Sequence, residues 1–125
     1  MCSSRGFFLD IYTARAHNDG TVAQFIEEVL AFPHKQRTED LQGYFDAFLD
    51  HDTTDRLPQI KAPTLVLAGG RDSTARPPLG RAVAGLIPGA RFEVLEEEAH
   101  QPFQEIPEEW NARVDAFWRE VDAGG

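Results

Sequence analysis

Cysteine occurs once in this chain, at Cys2, so no disulfide can form within it; that fits a reducing compartment or indifference to redox state. Basic residues are scarce too. Twelve Lys and Arg against 21 Asp and Glu leave a formal charge of −9, the wrong sign for holding nucleic-acid phosphates or an anionic membrane. No apolar run approaches the roughly 18 residues needed to span a bilayer. The opening Met1-Cys2-Ser3-Ser4-Arg5-Gly6 lacks the basic head and apolar core of a secretory signal. A cytoplasmic location is the resulting expectation. The four histidines, His17, His34, His51 and His100, fall at no metal-ligand spacing. Gly69-Gly70 alone is too slight for a phosphate loop, so neither metal nor cofactor is expected. Serine is rare as well, confined to Ser3, Ser4 and Ser73.

What remains is ordinary globular material. With 42 % hydrophobic and 26 % charged residues, 125 positions have room for one domain with a modest core. Two compositional blocks meet near Asp52–Pro58, after a stretch 1–20 that carries no regular pattern. In the first block, Val22, Phe25, Ile26, Val29 and Leu30 follow the spacing of one helix face over Thr21–Phe32. Thr21 with Gln24 predicts a capping box, and Pro33 a stop. Leu41, Tyr44, Phe45, Phe48 and Leu49 repeat that spacing over Thr38–Leu49, with Thr38 as the expected cap. Each apolar stripe requires a surface to lie on.

The second block alternates strand and helix. Thr64–Ala68 is a short apolar run without polar alternation, the mark of a parallel strand covered on both faces. Pro77 and Pro78 suit a first helical turn, with Leu79, Val83, Leu86 and Ile87 as the expected buried face before Pro88-Gly89. Arg91–Leu95 alternates charged and apolar residues, as a strand near a sheet edge does. Pro107 opens a last helix with the stripe Trp110, Val114, Phe117, Trp118 and Val121. The order βαβα with short connections implies an α/β fold and a parallel sheet.

Two residues in this block have chemistry to offer. Asp72 follows the first strand and a Gly-Gly pair, and the carboxyl ends of strands in open α/β sheets are where reactive groups collect. Alone it better suits a turn aspartate bonding its own backbone. His100 follows the second strand, where alone it reads as a surface histidine in the acidic loop Glu96-Glu97-Glu98. Together they lie 28 residues apart with one crossover helix between. Two neighbouring parallel strands would then deliver both groups to one sheet edge, as an acid–histidine pair requires.

The wording around these residues resembles a known family. Ile60-Lys61-Ala62-Pro63-Thr64-Leu65-Val66-Leu67-Ala68-Gly69 with Asp72 is similar to the penultimate strand of the α/β-hydrolase superfamily. Ile87-Pro88-Gly89-Ala90, then Ala99-His100-Gln101-Pro102 and Glu105-Ile106-Pro107-Glu108, resemble the segments that flank the family's final strand. The likeness covers about half the chain and is nearest to single-domain esterases, enol-lactonases and non-haem haloperoxidase-like enzymes. It implies a partial α/β-hydrolase fold in which residues 57–125 form part of the core. By the same analogy residues 21–56 resemble the helical cap over the site; two core helices of an unrelated small domain remain the alternative. Asp72 matches the family's acid and His100 its general base. Ala99 departs from the glycine usual there.

The resemblance also implies a Gly-x-Ser-x-Gly nucleophile elbow upstream of the acid. None is present. Ser73 belongs to the acid's own loop. Ser4-Arg5-Gly6 satisfies half an elbow, with Cys2 where the first glycine belongs, but no strand precedes it. Only 67 residues separate Ser4 from Asp72, too few for the intervening strand and a cap. Cys2 has no helix start or evident base to activate it.

The chain is therefore expected to be the C-terminal portion of a serine hydrolase acting on carboxylic esters, thioesters or lactones. It would supply Asp72 and His100 and be inactive alone. A small ester-like substrate is the expected partner, with no nucleic acid and no membrane. One bare edge of the first strand would invite pairing with an N-terminal half or with a second copy. The competing reading is an inactive fragment or binding module that docks through that edge.

Overall fold

A computed structural model describes residues 10–33, 37–49 and 51–124. Two strands form its centre. β1 (Leu65–Gly69) and β2 (Arg91–Leu95) pair in parallel, with Leu65 opposite Arg91 and Gly69 opposite Leu95. The ladder extends one bond at each end, from Arg91 N–H to the Thr64 carbonyl (2.9 Å) and from Gly70 N–H to the Leu95 carbonyl (2.8 Å). β1 thus runs one residue later than its apolar run suggests. Among the described residues the sheet has these two strands only, which leaves one edge of β1 unpaired.

Among the described residues six helices have defined bounds: α1 (Ala14–Asn18), α2 (Thr21–Ala31), α3 (Thr38–Leu49), α4 (Pro77–Leu86), α5 (Pro102–Glu105) and α6 (Pro107–Ala123). A 3-10 turn over Thr54–Gln59 joins the two blocks, its start held by Asp52 accepting the Thr54 N–H at 2.9 Å. α4 crosses between the strands and lies on the face carrying Val66, Ala68 and Phe92. A Cβ on Gly80 would come within 3.0 Å of the Phe92 ring, so the missing side chain is what lets this helix settle on the sheet.

That contact overturns the expected face of α4. Ala84 and Ile87 are buried, but Leu79 is 54 % exposed, and Val83 and Leu86 are exposed as well. The large apolar residues identify the helix. The smallest ones, Gly80 and Ala84, mark the side that touches strands, because close approach favours little side chain there.

α6 covers the opposite face. Trp110, Val114, Phe117 and Trp118 line an open groove of about 360 Å³ with Pro63, Thr64, Leu65 and Leu67. The charged positions of β2 point the same way and find partners on this helix. Arg91 pairs with Glu120 at 2.6 Å and lies over the Phe117 ring, while Glu93 pairs with Arg113 at 3.2 Å. Trp118, expected in the buried stripe, is 60 % exposed.

Residues 10–20, expected to be irregular, contain α1. Thr13 caps it by accepting the Ala16 N–H at 3.3 Å. Ile11, Tyr12, Ala16 and Val22 form a small buried cluster against which Phe25 and Ile26 of α2 pack. The start of α2 also differs from expectation. Gly20, at φ +91°, is the cap position, and Asp19 accepts the Thr21 N–H at 3.0 Å. Gln24 bonds forward to Glu28 instead of closing a box. Pro33 does end α2, whose C-cap, Phe32, is extended. The cap expected from Thr38 lies outside the described side chains. The stripe of α2 is covered only in its first half, and that of α3 is bare, with Tyr44, Phe45, Phe48 and Leu49 all exposed.

Burial on α2 and exposure on α3 predict opposite responses to truncation. Val22→Ala should lower unfolding free energy by about 2 kcal/mol. Phe48→Ala should stay within about 0.5 kcal/mol of the parent. Urea denaturation midpoints measure both.

Candidate active site

Because β1 and β2 run the same way, the loops that leave them emerge at one rim. β1 hands its chain to Gly70-Arg71-Asp72, and β2 hands its chain to Glu96–His100. The two loops touch backbone to backbone. A Cβ on Gly69 would lie 2.6 Å from the Glu98 carbonyl oxygen and overlap that of Ala99; one on Gly70 would lie 2.5 Å from the Glu96 carbonyl oxygen. Neither position tolerates a side chain. The Arg71 N–H donates to the Glu98 carbonyl at 2.9 Å, and Arg71 also forms an ion pair with Glu97.

This contact brings Asp72 and His100 together. His100 Nδ1 is 2.8 Å from Asp72 Oδ2. The other carboxylate oxygen, Oδ1, accepts the N–H groups of Thr74 and Ala75, both at 2.8 Å. Asp72 is 6 % exposed at its side chain and His100 33 %. Burial pushes the Asp72 carboxyl upward, but the hydrogen bond from His100 and those from Ala75 and Thr74 outweigh it, leaving Asp72 below the usual carboxylate range. An ionised carboxylate only accepts, so the ring hydrogen sits on Nδ1 and the basic lone pair on Nε2. The pair can orient an imidazole and stabilise its charged form.

The remaining candidates fall elsewhere. The Ser73 hydroxyl donates to the Asp10 carbonyl at 3.0 Å, bracing the acid loop. Cys2, Ser3, Ser4 and His34 lie outside the described residues. Among the described residues no group of three or more His, Cys, Asp or Glu side chains is placed to hold a metal ion. No described helix is long and apolar enough to cross a membrane.

Sequence reasoning missed the segment that carries the histidine loop from behind. The His100 N–H donates to the Ile11 carbonyl at 3.1 Å, and the Tyr12 hydroxyl to Gln104 Oε1 at 2.5 Å. Thr13 donates to Glu105 from its N–H at 3.1 Å and from its hydroxyl, and Arg15 grips Glu98. These partners stand 83 to 92 positions apart, beyond any local pattern. The single local hint was Thr13 ahead of the helix-forming run Ala14-Arg15-Ala16.

No family profile matches the chain. Individual proteins do. It is 32 % identical over 85 residues to the pimeloyl-[acyl-carrier protein] methyl ester esterase of Neisseria meningitidis, covering 68 % of this chain and 31 % of that one. Its structure superposes on the crystal structure of BpoC from Mycobacterium tuberculosis, whose name assigns it provisionally to the non-heme bromoperoxidases. There the TM-score is 0.77 and identity 28 %, over 94 % of this chain and 44 % of that one. It also superposes on Est816, described as an N-acyl homoserine lactone degrading enzyme, at a TM-score of 0.72 and 26 % identity over 90 % and 45 %. The chain belongs to the α/β-hydrolases and carries part of their fold. It spans 31 % of the Neisseria esterase and less than half of either superposed structure.

The loop contact and the carboxylate each generate an expectation. Gly69→Ala must drive the two loops apart, which should cost at least about 2 kcal/mol of stability in chemical denaturation. Asp72 titrates lower folded than unfolded, so its contribution is complete above about pH 4 and disappears as pH falls through the folded value. Asp72→Asn should therefore flatten the loss of melting temperature between about pH 4 and pH 2.

Proposed function

We propose that Asp72 and His100 are the acid and the general base of a serine-type hydrolase site acting on carboxylic esters, thioesters or lactones. The observation that carries this is the 2.8 Å contact of His100 Nδ1 with Asp72 Oδ2 at the shared carboxyl end of two parallel strands. The methyl ester in the name of the Neisseria esterase and the N-acyl homoserine lactone that Est816 degrades support the bond type. The attacking serine comes from residues other than those of this 125-residue sequence. His100 Nε2 takes the serine proton as the hydroxyl attacks the carbonyl carbon, then returns it to the departing alcohol or thiol. Asp72 stays ionised throughout and stabilises the imidazolium. The acyl-serine then reacts with water by the same proton relay.

A chimera tests this directly. The portion of BpoC that precedes the matched region is fused ahead of this chain, and hydrolysis of a short-chain nitrophenyl ester is followed. His100→Ala should reduce kcat/KM by ~10² to 10⁴-fold. Retention of most of the turnover would show that His100 is not the base.

A second reading has its own observation. The unpaired edge of β1 and the bare aromatic stripe of α3 together offer a surface for a partner chain, either the segment that completes the site or a second copy. On that reading the 125-residue chain associates on its own. Sedimentation should show a dimer or larger species; a sharp monomer with a cooperative melt would sink it.

A further inference from the structure

Two carboxylates beside the histidine loop are buried although neither touches the Asp72–His100 pair. The side chain of Glu98 is 7 % exposed and that of Glu105 is fully covered. Buried carboxylates are costly unless a cation and hydrogen bonds meet them. Arg15 meets both. Its guanidinium donates two bonds to Glu98, at 3.1 and 2.8 Å, and stands 3.5 Å from Glu105. The hydrogen bond to Glu98 in turn raises the Arg15 pKa above its ordinary value.

The segment bearing Arg15 reaches both loops. Asp10 accepts the Ser73 hydroxyl on the acid side, and Ile11 accepts the His100 N–H on the base side. Glu98 precedes His100 by two residues, and its own carbonyl accepts the Arg71 N–H. The histidine loop is thus fixed at three points: the acid loop, the Ile11 carbonyl and the Arg15 fork. The fork is a side-chain contact, as is the exposed Arg71–Glu97 pair, and it closes over a distance of 83 residues.

We propose that Arg15 is a positioning residue for the histidine: by clamping Glu98 it locks the Glu96–His100 loop in the geometry that places Nδ1 on Asp72. This rests on reading the pair as reacting acid and base, but its test needs no turnover. The 125-residue chain, labelled with ¹⁵N-histidine, is examined by NMR for the downfield Nδ1 proton of His100. In the parent that proton should be sharp and slow to exchange. Arg15→Gln should raise its exchange with solvent about tenfold or broaden it away, with the helical circular-dichroism signal unchanged. Arg15→Lys, which keeps the charge and loses the fork, should recover part of the protection. Arg37→Gln, which breaks an exposed pair with Asp40 on α3, should change nothing.

Should Arg15→Gln fail to fold, the pair Arg15→Met with Glu98→Leu removes the Glu98 charge together with its cation and leaves Glu105 its bonds from Thr13. Its Nδ1 proton should still exchange fast. A sharp, slow proton in either variant overturns the positioning role and leaves the acid–base reading intact. Its absence from the parent overturns both.

Discussion

Backbone laid directly on backbone is the constraint that creates the site. Gly69 ends β1 and Gly70 follows it, and the carbonyls of Glu96, Glu98 and Ala99 occupy the space where their side chains would be. The parallel ladder sets the direction of both strands, but direction alone brings two loops only to one rim. Contact at van der Waals range converts that shared rim into a 2.8 Å hydrogen bond between Asp72 and His100. Ala99, where glycine is usual in such loops, does not obstruct this. Its carbonyl faces Gly69, and the room is made on the glycine side.

The polar groups around this contact are arranged for one protonation state. Both oxygens of Asp72 accept hydrogen bonds, two from the backbone of its own turn and one from the imidazole. Acceptance on every side favours the anion, and the anion in turn fixes the imidazole tautomer. Burial opposes this and loses, because three donors converge on a single small group. Behind the histidine, the same logic recurs at larger scale, with Arg15 and Thr13 satisfying the buried Glu98 and Glu105. Charge-assisted bonds thus brace the loop alongside its backbone contacts.

Apolar cover is unevenly distributed across the rest of the molecule. α4 and α6 sandwich the two strands, whereas most of the α3 stripe is exposed and one edge of β1 is unpaired among the described residues. Exposed aromatics in that number are unusual on the surface of a single domain. The relatives it matches are two to three times longer or more.

Much of this was readable in the residues. Pro63 and the run behind it gave β1, the charge alternation gave β2, and Pro77 and Pro107 gave two helix starts. The Asp72 and His100 pairing followed from strand order. These features are local, set by backbone sterics and by periodicity within a dozen residues. The face of α4 was not readable, because Gly80 and Ala84 became the contact only once a strand with Phe92 lay beneath them. Nor was the role of Tyr12, Thr13 and Arg15. Sequence alone determined both strands, the longer helices and which two groups share an edge. Tertiary structure alone decided how close the loops come and what braces them, since that rests on partners some ninety residues away, whose meeting no local spacing encodes.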